Sequence, residues 1–300
     1  MRKFLLLFIL FLVPVTLFLG TLEALVQTVP NSYSYKHNYI VSRGNKIHTV
    51  SLGHSQLYDG FMPESFKLPS FNLCNSAQSY KDDYYLLQEL LPYMPNLKLV
   101  ILPIGYVNVK NEDNDGFSER STFYHEYMNI DYDNSIPLLY QYEALNPQRA
   151  FDKLTSYYWR HVDIVGCDTL GRRSTHNLID RRHKLGHDKI LYDYTISSKK
   201  KMYIQSDVYL EKIGQMLEAK QIKLVLVSPP YYWSCFDKVN VYQKTFLQKS
   251  IKDLKEKMNF QYINMEDDDR FVDEDFYNET HLSEIGADKF TKILNDSISL

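Results

Sequence analysis

Two apolar runs most constrain this chain: residues 97–104 (LKLVILPI) and 222–227 (IKLVLV). Each is short and aliphatic, with a single lysine near its start. Neither shows the polar alternation of a half-solvated strand. Such runs read as strands buried on both faces, and a sheet is covered on both faces when helices lie on each side. Weaker strand signals lie at 46–52 (KIHTVSL), 70–73 and 260–265. Between them fall segments of helical spacing. Residues 80–93 carry Tyr84, Leu87, Leu90 and Leu91 on one face, a second helix is expected at 241–258, and a last one at 283–298 with Ser283 as its cap. Strands alternating with helices imply parallel βαβ units. The expected fold is α/β: a doubly wound, five-stranded parallel sheet with helices on both sides. In such sheets ligands bind beyond the carboxyl ends of the strands.

The N-terminus adds a second constraint. Arg2 and Lys3 precede an uncharged stretch from Phe4 to Leu22. As a helix it spans about 28 Å, close to the roughly 30 Å hydrocarbon core of a bilayer. Residues 1–26 are expected to form a membrane anchor, with the membrane contact at 4–22. Positive charge on the cytoplasmic side puts the remainder outside the cytoplasm. A cleaved signal peptide, giving a secreted form, is the competing reading, with Gly20 and Ala24 as its small residues. Residues 27–45 are polar and contain Pro30, Asn31 and Gly44, which suits a tether. Residues 46–300 then form the main domain, interrupted at about 110–201 by a Tyr-rich insertion with five of the nine histidines. An insertion of that length reads as a lid or substrate wall, or as an elaborated subdomain covering the sheet.

Composition narrows the partners. The net charge of −3 has no basic bias, so no nucleic-acid partner is expected. Cys74, Cys167 and Cys235 lack zinc-like spacing. His176, His183 and His187 show no convergent spacing either, so neither a metal nor another cofactor is expected. The run Glu266 to Asp269 reads as a solvated turn in preference to a cation site. Arg172, Arg173, Arg181, Arg182 and Lys184 read as an exposed charged helix, or as a contact for an acidic glycan or lipid head groups.

The chemistry-bearing residues lie at the two ends of the α/β pattern. Gly53-His54-Ser55 directly follows the first strand signal. A serine on a strand-to-helix turn exposes its hydroxyl at the sheet edge, where nearby backbone N–H groups can meet a developing oxyanion. A helix cap is the plainer role for such a serine. Asn278-Glu279-Thr280-His281 precedes the last helix. A histidine there reaches the same edge and can act as the base for Ser55.

Gly53-His54-Ser55 together with H-L-S-x-x-G-A-x-K-F (His281 to Phe290) resembles the SGNH (GDSL-like) hydrolase superfamily. The chain is most similar to its single-pass, membrane-anchored bacterial cell-envelope members. The anchor, Pro30-Asn31-Ser32-Tyr33, Phe71-Asn72-Leu73 and the tail from Asp269 carry that closer likeness. The resemblance implies a flavodoxin-like three-layer fold, no cofactor, and a Ser55–His281 pair forming an acyl-enzyme. It implies carboxylic-ester substrates, O-acetyl groups foremost, on an acylated polysaccharide or other envelope glycan, with hydrolysis or acyl transfer as the outcome. The oxyanion donors it implies are the Ser55 N–H, Ala77 where the family has glycine, and Asn108, with Asn75 as an alternative. The family also places an Asp three residues before the His, where this chain has Asn278. In a serine protease that exchange costs about 10⁴ in kcat, because the wrong imidazole tautomer is held. Asn278, Asp275, Glu279 and a backbone carbonyl are therefore all candidate orienting groups. The alternative is a catalytically degenerate member that binds glycan or an envelope partner.

Overall fold

Five short strands pair in parallel: β1 (Thr49–Ser51), β2 (Ser70–Asn72), β3 (Leu99–Pro103), β4 (Lys223–Ser228) and β5 (Gln261–Asn264). Their spatial order is β2-β1-β3-β4-β5, the flavodoxin-like doubly wound order. In register, Val50 pairs with Phe71 on one side and Val100 on the other, and Ile101 pairs with Val225. This is a computed structural model, and it describes residues 1–110, 116–162, 164–173, 185, 202–204 and 207–299.

The apolar runs are buried for the reason their sequence suggests. Leu99, Ile101, Val225 and Val227 share one core with Leu57, Phe61, Phe290 and Leu294. By the two-residue period of a strand, Val100, Leu102, Leu224 and Leu226 point to the opposite face, and all four are buried. Each such side chain contributes about 1.5–3 kcal/mol of burial.

The α-helices among the described residues, in chain order, are α1 (Arg2–Gln27), α2 (Ser32–Arg43), α3 (Ser55–Gly60), α4 (Tyr80–Leu90), α5 (Glu119–Met128), α6 (Pro147–Leu154), α7 (Asp207–Ala219), α8 (Trp233–Phe236), α9 (Val241–Lys257) and α10 (Glu284–Ser297). Helix α3 packs on α10, and α4 packs on α7. Ser79 and Asp82 form a capping box on α4. The Ser283 hydroxyl caps α10 by accepting from Gly286 N at 3.2 Å.

The chain divides into two compact units, residues 1–37 with 116–166, and residues 38–115 with 167–300. The second unit holds the sheet. In the first, α1 is long and apolar enough to cross a membrane. Its last turns pack through Leu19, Leu22 and Val26 against Ala144, Ala150 and Leu154.

Several elements differ from the sequence reading. The expected tether contains a regular helix, α2, whose Lys36 and Ile40 are fully buried. Local polarity suggested a loop, but these positions are decided by packing. Most of the described insertion, residues 116–166, belongs with the N-terminal helix in its own unit. Helix α7 was not anticipated, although Leu210, Ile213 and Leu217 are spaced for one face and are buried. Within residues 116–166, α6 is followed by a π turn, Thr155–Trp159. His176, His183, His187, Arg181, Arg182 and Lys184 lie outside the described residues.

Candidate active site

The turn after β1 is built around Gly53. Its φ is +100°, and a Cβ there would lie 2.4 Å from Pro103 Cδ. Only glycine fits that approach. Its N–H donates to Asp83 Oδ1 at 2.9 Å, and Gln78 Nε2 donates to the same oxygen at 2.6 Å. Burial holds the Asp83 carboxyl well above the ordinary carboxylate range. The next residue, His54, is buried, and burial chiefly pushes its imidazole down to about 4, the neighbouring His281 adding to this and Asn108 opposing it. Ser55 then opens α3, half-buried at the carboxyl end of β1.

His281 is positioned by a tight antiparallel ribbon, Phe276–Asn278 against His281–Leu282, in which Asn278 pairs with His281. Gln56 Nε2 donates to Thr280 O at 3.3 Å and ties α3 to this ribbon. Gly286 lets α10 follow closely, since a Cβ there would overlap the Asp275 carbonyl. That is the physical content of the glycine in H-L-S-x-x-G.

These elements bring the two ends of the chain together. His281 Nε2 lies 2.8 Å from Ser55 Oγ. His281 Nδ1 lies 2.9 Å from Asn278 Oδ1 and 3.1 Å from Thr280 Oγ1. The Asn278 oxygen also accepts from the backbone N–H groups of Thr280 and His281, each at 3.0 Å. Backbone amides only donate, so the atom facing them must be the oxygen and not the NH₂. The imidazole therefore presents Nδ1–H to Asn278, which leaves Nε2 with its lone pair toward the Ser55 hydroxyl.

Of the other candidate orienters, Asp275 is committed elsewhere. Asp275 Oδ2 accepts from Val272 N at 2.8 Å and pairs with Lys289 Nζ. Glu279 is buried, and its carbonyl accepts from Tyr232 N at 3.0 Å. A carboxylate that sequence reasoning missed does approach the imidazole. Asp59 Oδ2, fully buried, lies 3.9 Å from His281 Nε2. Its other oxygen pairs with Arg173 Nε at 3.0 Å, and its carbonyl accepts from Arg172 Nε at 3.0 Å. The available signal was that Asp59 stands four residues after Ser55, one turn along the same helix face. Arg172 and Arg173 are thus committed to Asp59, which corrects their reading as an exposed charged surface.

The candidate oxyanion residues are distributed as follows. Asn75 N donates to Gly53 O at 3.2 Å and pins its loop to the nucleophile turn. Ala77 has φ +52°, in the left-handed region. An alanine is strained in that region, where a glycine is not. Asn108 is buried, and its Oδ1 accepts from Gly105 N at 3.0 Å. In the acidic run, Glu266 is buried and accepts from Tyr106 Oη at 3.0 Å, while Asp268 pairs with Arg270. Burial pushes the Glu266 carboxyl up to about 7, with the Tyr106 hydrogen bond opposing it. That glutamate belongs to the fold and not to a solvated turn.

No family model and no curated protein matches the sequence. Among solved structures the chain is similar to one described as "a putative platelet activating factor from Streptococcus pneumonia". The likeness covers 96% of this chain and 97% of that one, at 12% identity and a TM-score of 0.39. At that score it carries no argument about the site, whose chemistry rests on the Ser55–His281–Asn278 geometry.

Proposed function

We propose that the chain is an extracytoplasmic serine ester hydrolase or O-acyltransferase, anchored by α1 and acting on O-acyl groups, O-acetyl foremost, of a cell-envelope glycan. The single observation that carries this is the 2.8 Å contact between Ser55 Oγ and His281 Nε2, with Nδ1 held by the Asn278 oxygen. In this reading Ser55 Oγ attacks the ester carbonyl as its proton passes to Nε2. The negative charge on the former carbonyl oxygen meets the Ser55 and Ala77 N–H groups and the Asn108 NH₂. The imidazolium then protonates the leaving sugar oxygen as the acyl–oxygen bond breaks. The resulting acyl-serine passes its acyl group to water or to a second hydroxyl, with His281 again as base. Asn278 contributes the correct tautomer without the charge of a carboxylate. Asp59 contributes charge close to the imidazolium, moderated by Arg173.

The resemblance to SGNH enzymes and the apolar helix α1 support the envelope setting; the glycan is the substrate class that resemblance implies. The test is covalent labelling of the full chain by a serine-directed fluorophosphonate, followed by turnover of acetylated glycans. Labelling and turnover should vanish in Ser55→Ala and fall sharply in His281→Ala. An unlabelled wild-type chain that releases no acetate would instead support the degenerate, glycan-binding alternative.

A further inference from the structure

The first compact unit carries several exposed large apolar side chains with no role in the site above. They are Leu138, Leu139, Tyr142, Phe151, Trp159 and Val162, with Trp159 82% exposed and Phe151 50% exposed. Single exposed apolar residues are ordinary, but a group that includes residues packed beside an exposed apolar helix marks an interaction surface. Its position along α1 says what kind of surface this is.

Three contacts measure depth along that helix. The ring of Phe151 lies against that of Phe18, tilted by 33° with centroids 6.5 Å apart. The N–H of Ala144 donates to Glu23 Oε2 at 2.8 Å. The hydroxyl of Tyr158 meets Thr28 Oγ1 at 2.7 Å. The uncharged stretch ends at Leu22. At 1.5 Å per residue Phe18 lies about 6 Å inside that end, and Thr28 about 9 Å beyond it. The flank of α1 beside Phe151 is itself exposed, with Leu17 65% and Phe18 52% exposed. Any medium that solvates Leu17 and Phe18 must therefore also meet Phe151.

We infer that residues 138–162 form a membrane-interface platform. Phe151 enters the acyl region beside α1, and Tyr158 and Trp159 sit at the level of the lipid head groups. The occupant is the bilayer itself, because exposed Phe151, against Phe18, continues the exposed wall of the apolar helix. Ring-bearing residues with one polar edge prefer that boundary, where the ring is dehydrated and the N–H or O–H stays wet. Arg160, next to Trp159 and exposed, is placed to meet lipid phosphates. The inference rests on reading α1 as a membrane span, and it adds a second, lateral attachment that fixes how the first unit lies on the surface.

Trp159 is a native probe, since Trp233 is the other tryptophan in the chain. The full-length Trp233→Phe variant would be reconstituted into phosphatidylcholine–phosphatidylglycerol vesicles. Its emission would be read with aqueous iodide and with lipids carrying a nitroxide at the head group or along the chain. A second variant, Phe151→Trp with Trp159→Phe and Trp233→Phe, reads the deeper position. The expected result is that Trp159 loses most of its emission to head-group nitroxide and little to iodide, while the tryptophan at 151 is quenched best by acyl-chain nitroxide. Iodide quenching of both probes in a chain that still floats with the vesicles would overturn the platform and leave the anchor. Protection from iodide and nitroxide alike would assign the surface to a second protein copy and overturn it as well. A chain that no longer floats would overturn the anchor reading first, and the platform with it.

Discussion

Asn278 Oδ1 accepts from His281 Nδ1 at 2.9 Å while two backbone amides donate to the same oxygen at 3.0 Å each. The amide is thereby fixed oxygen-first toward the imidazole. In a serine protease the Asp-to-Asn exchange is damaging because the tautomer is wrong. Here the backbone selects the tautomer, so what Asn278 lacks is charge and not orientation. Asn278→Asp should therefore increase fluorophosphonate labelling of Ser55, by about ten-fold, through better stabilisation of the imidazolium. Asn278→Leu should lower it by about ten-fold or more by releasing the ring. Labelling rates that are equal in all three proteins would remove Asn278 from the site.

Asp59 supplies the nearest buried carboxylate, 3.9 Å from His281 Nε2. In Asp59→Asn the labelling rate at neutral pH should fall about ten-fold, as the imidazolium loses a neighbouring charge. The variant also removes the charge that pairs with Arg173, so it should unfold more easily. Asp59→Asn with Arg173→Gln should recover part of the stability without recovering the rate. Recovery of both would make the pair purely structural.

Glycine at 53 and alanine at 77 make opposite predictions. Gly53→Ala forces a Cβ toward the Pro103 ring at φ +100° and should cost about 3 kcal/mol or more, seen as a lowered Tm and lost labelling. Ala77→Gly relieves a left-handed alanine at φ +52° and should raise stability by about 1 kcal/mol. Chemical denaturation of the two variants in the same detergent tests both signs.

His54 gives a pH signature. Burial, assisted by His281, brings its imidazole from the ordinary 6.5 down to about 4 in the folded protein. Between those values the unfolded chain binds the proton and the folded chain does not, so stability must fall as pH drops through that window. The full effect is up to about 3 kcal/mol. Glu266, raised to about 7, acts with the opposite sign, losing stability as pH rises. The clean measurement is thus a comparison: wild type minus His54→Gln should lose stability steadily from pH 6.5 to 4. A pH-independent difference would mean that His54 does not titrate there.

How much of this was readable in the sequence follows from which interactions are local. The five strands were legible because runs such as LVILP and KLVLVS have only one solution in water, burial on both faces, and the helices were legible where apolar spacing was clean. The Ser283 cap and the glycine turn before Ser55 are short-range chemistry, and both stand in the structure where the residue pattern puts them. Helix α2 was missed because buried Lys36 and Ile40 sit in an otherwise polar segment. The division that joins residues 116–166 to the N-terminal helix also lay out of reach, since it rests on contacts between segments about a hundred residues apart.

By itself, then, the sequence determined an α/β chain with an apolar N-terminal helix and placed a serine and a histidine at opposite ends of the pattern. Only the tertiary structure decided that Ser55 and His281 meet at 2.8 Å, that the Asn278 oxygen faces the ring, and that Asp59 and Arg173 form the neighbouring pair. The physical reason is range. Strand burial and helix caps are written within a few residues, whereas a hydrogen bond across 226 positions exists only once the sheet has closed the distance.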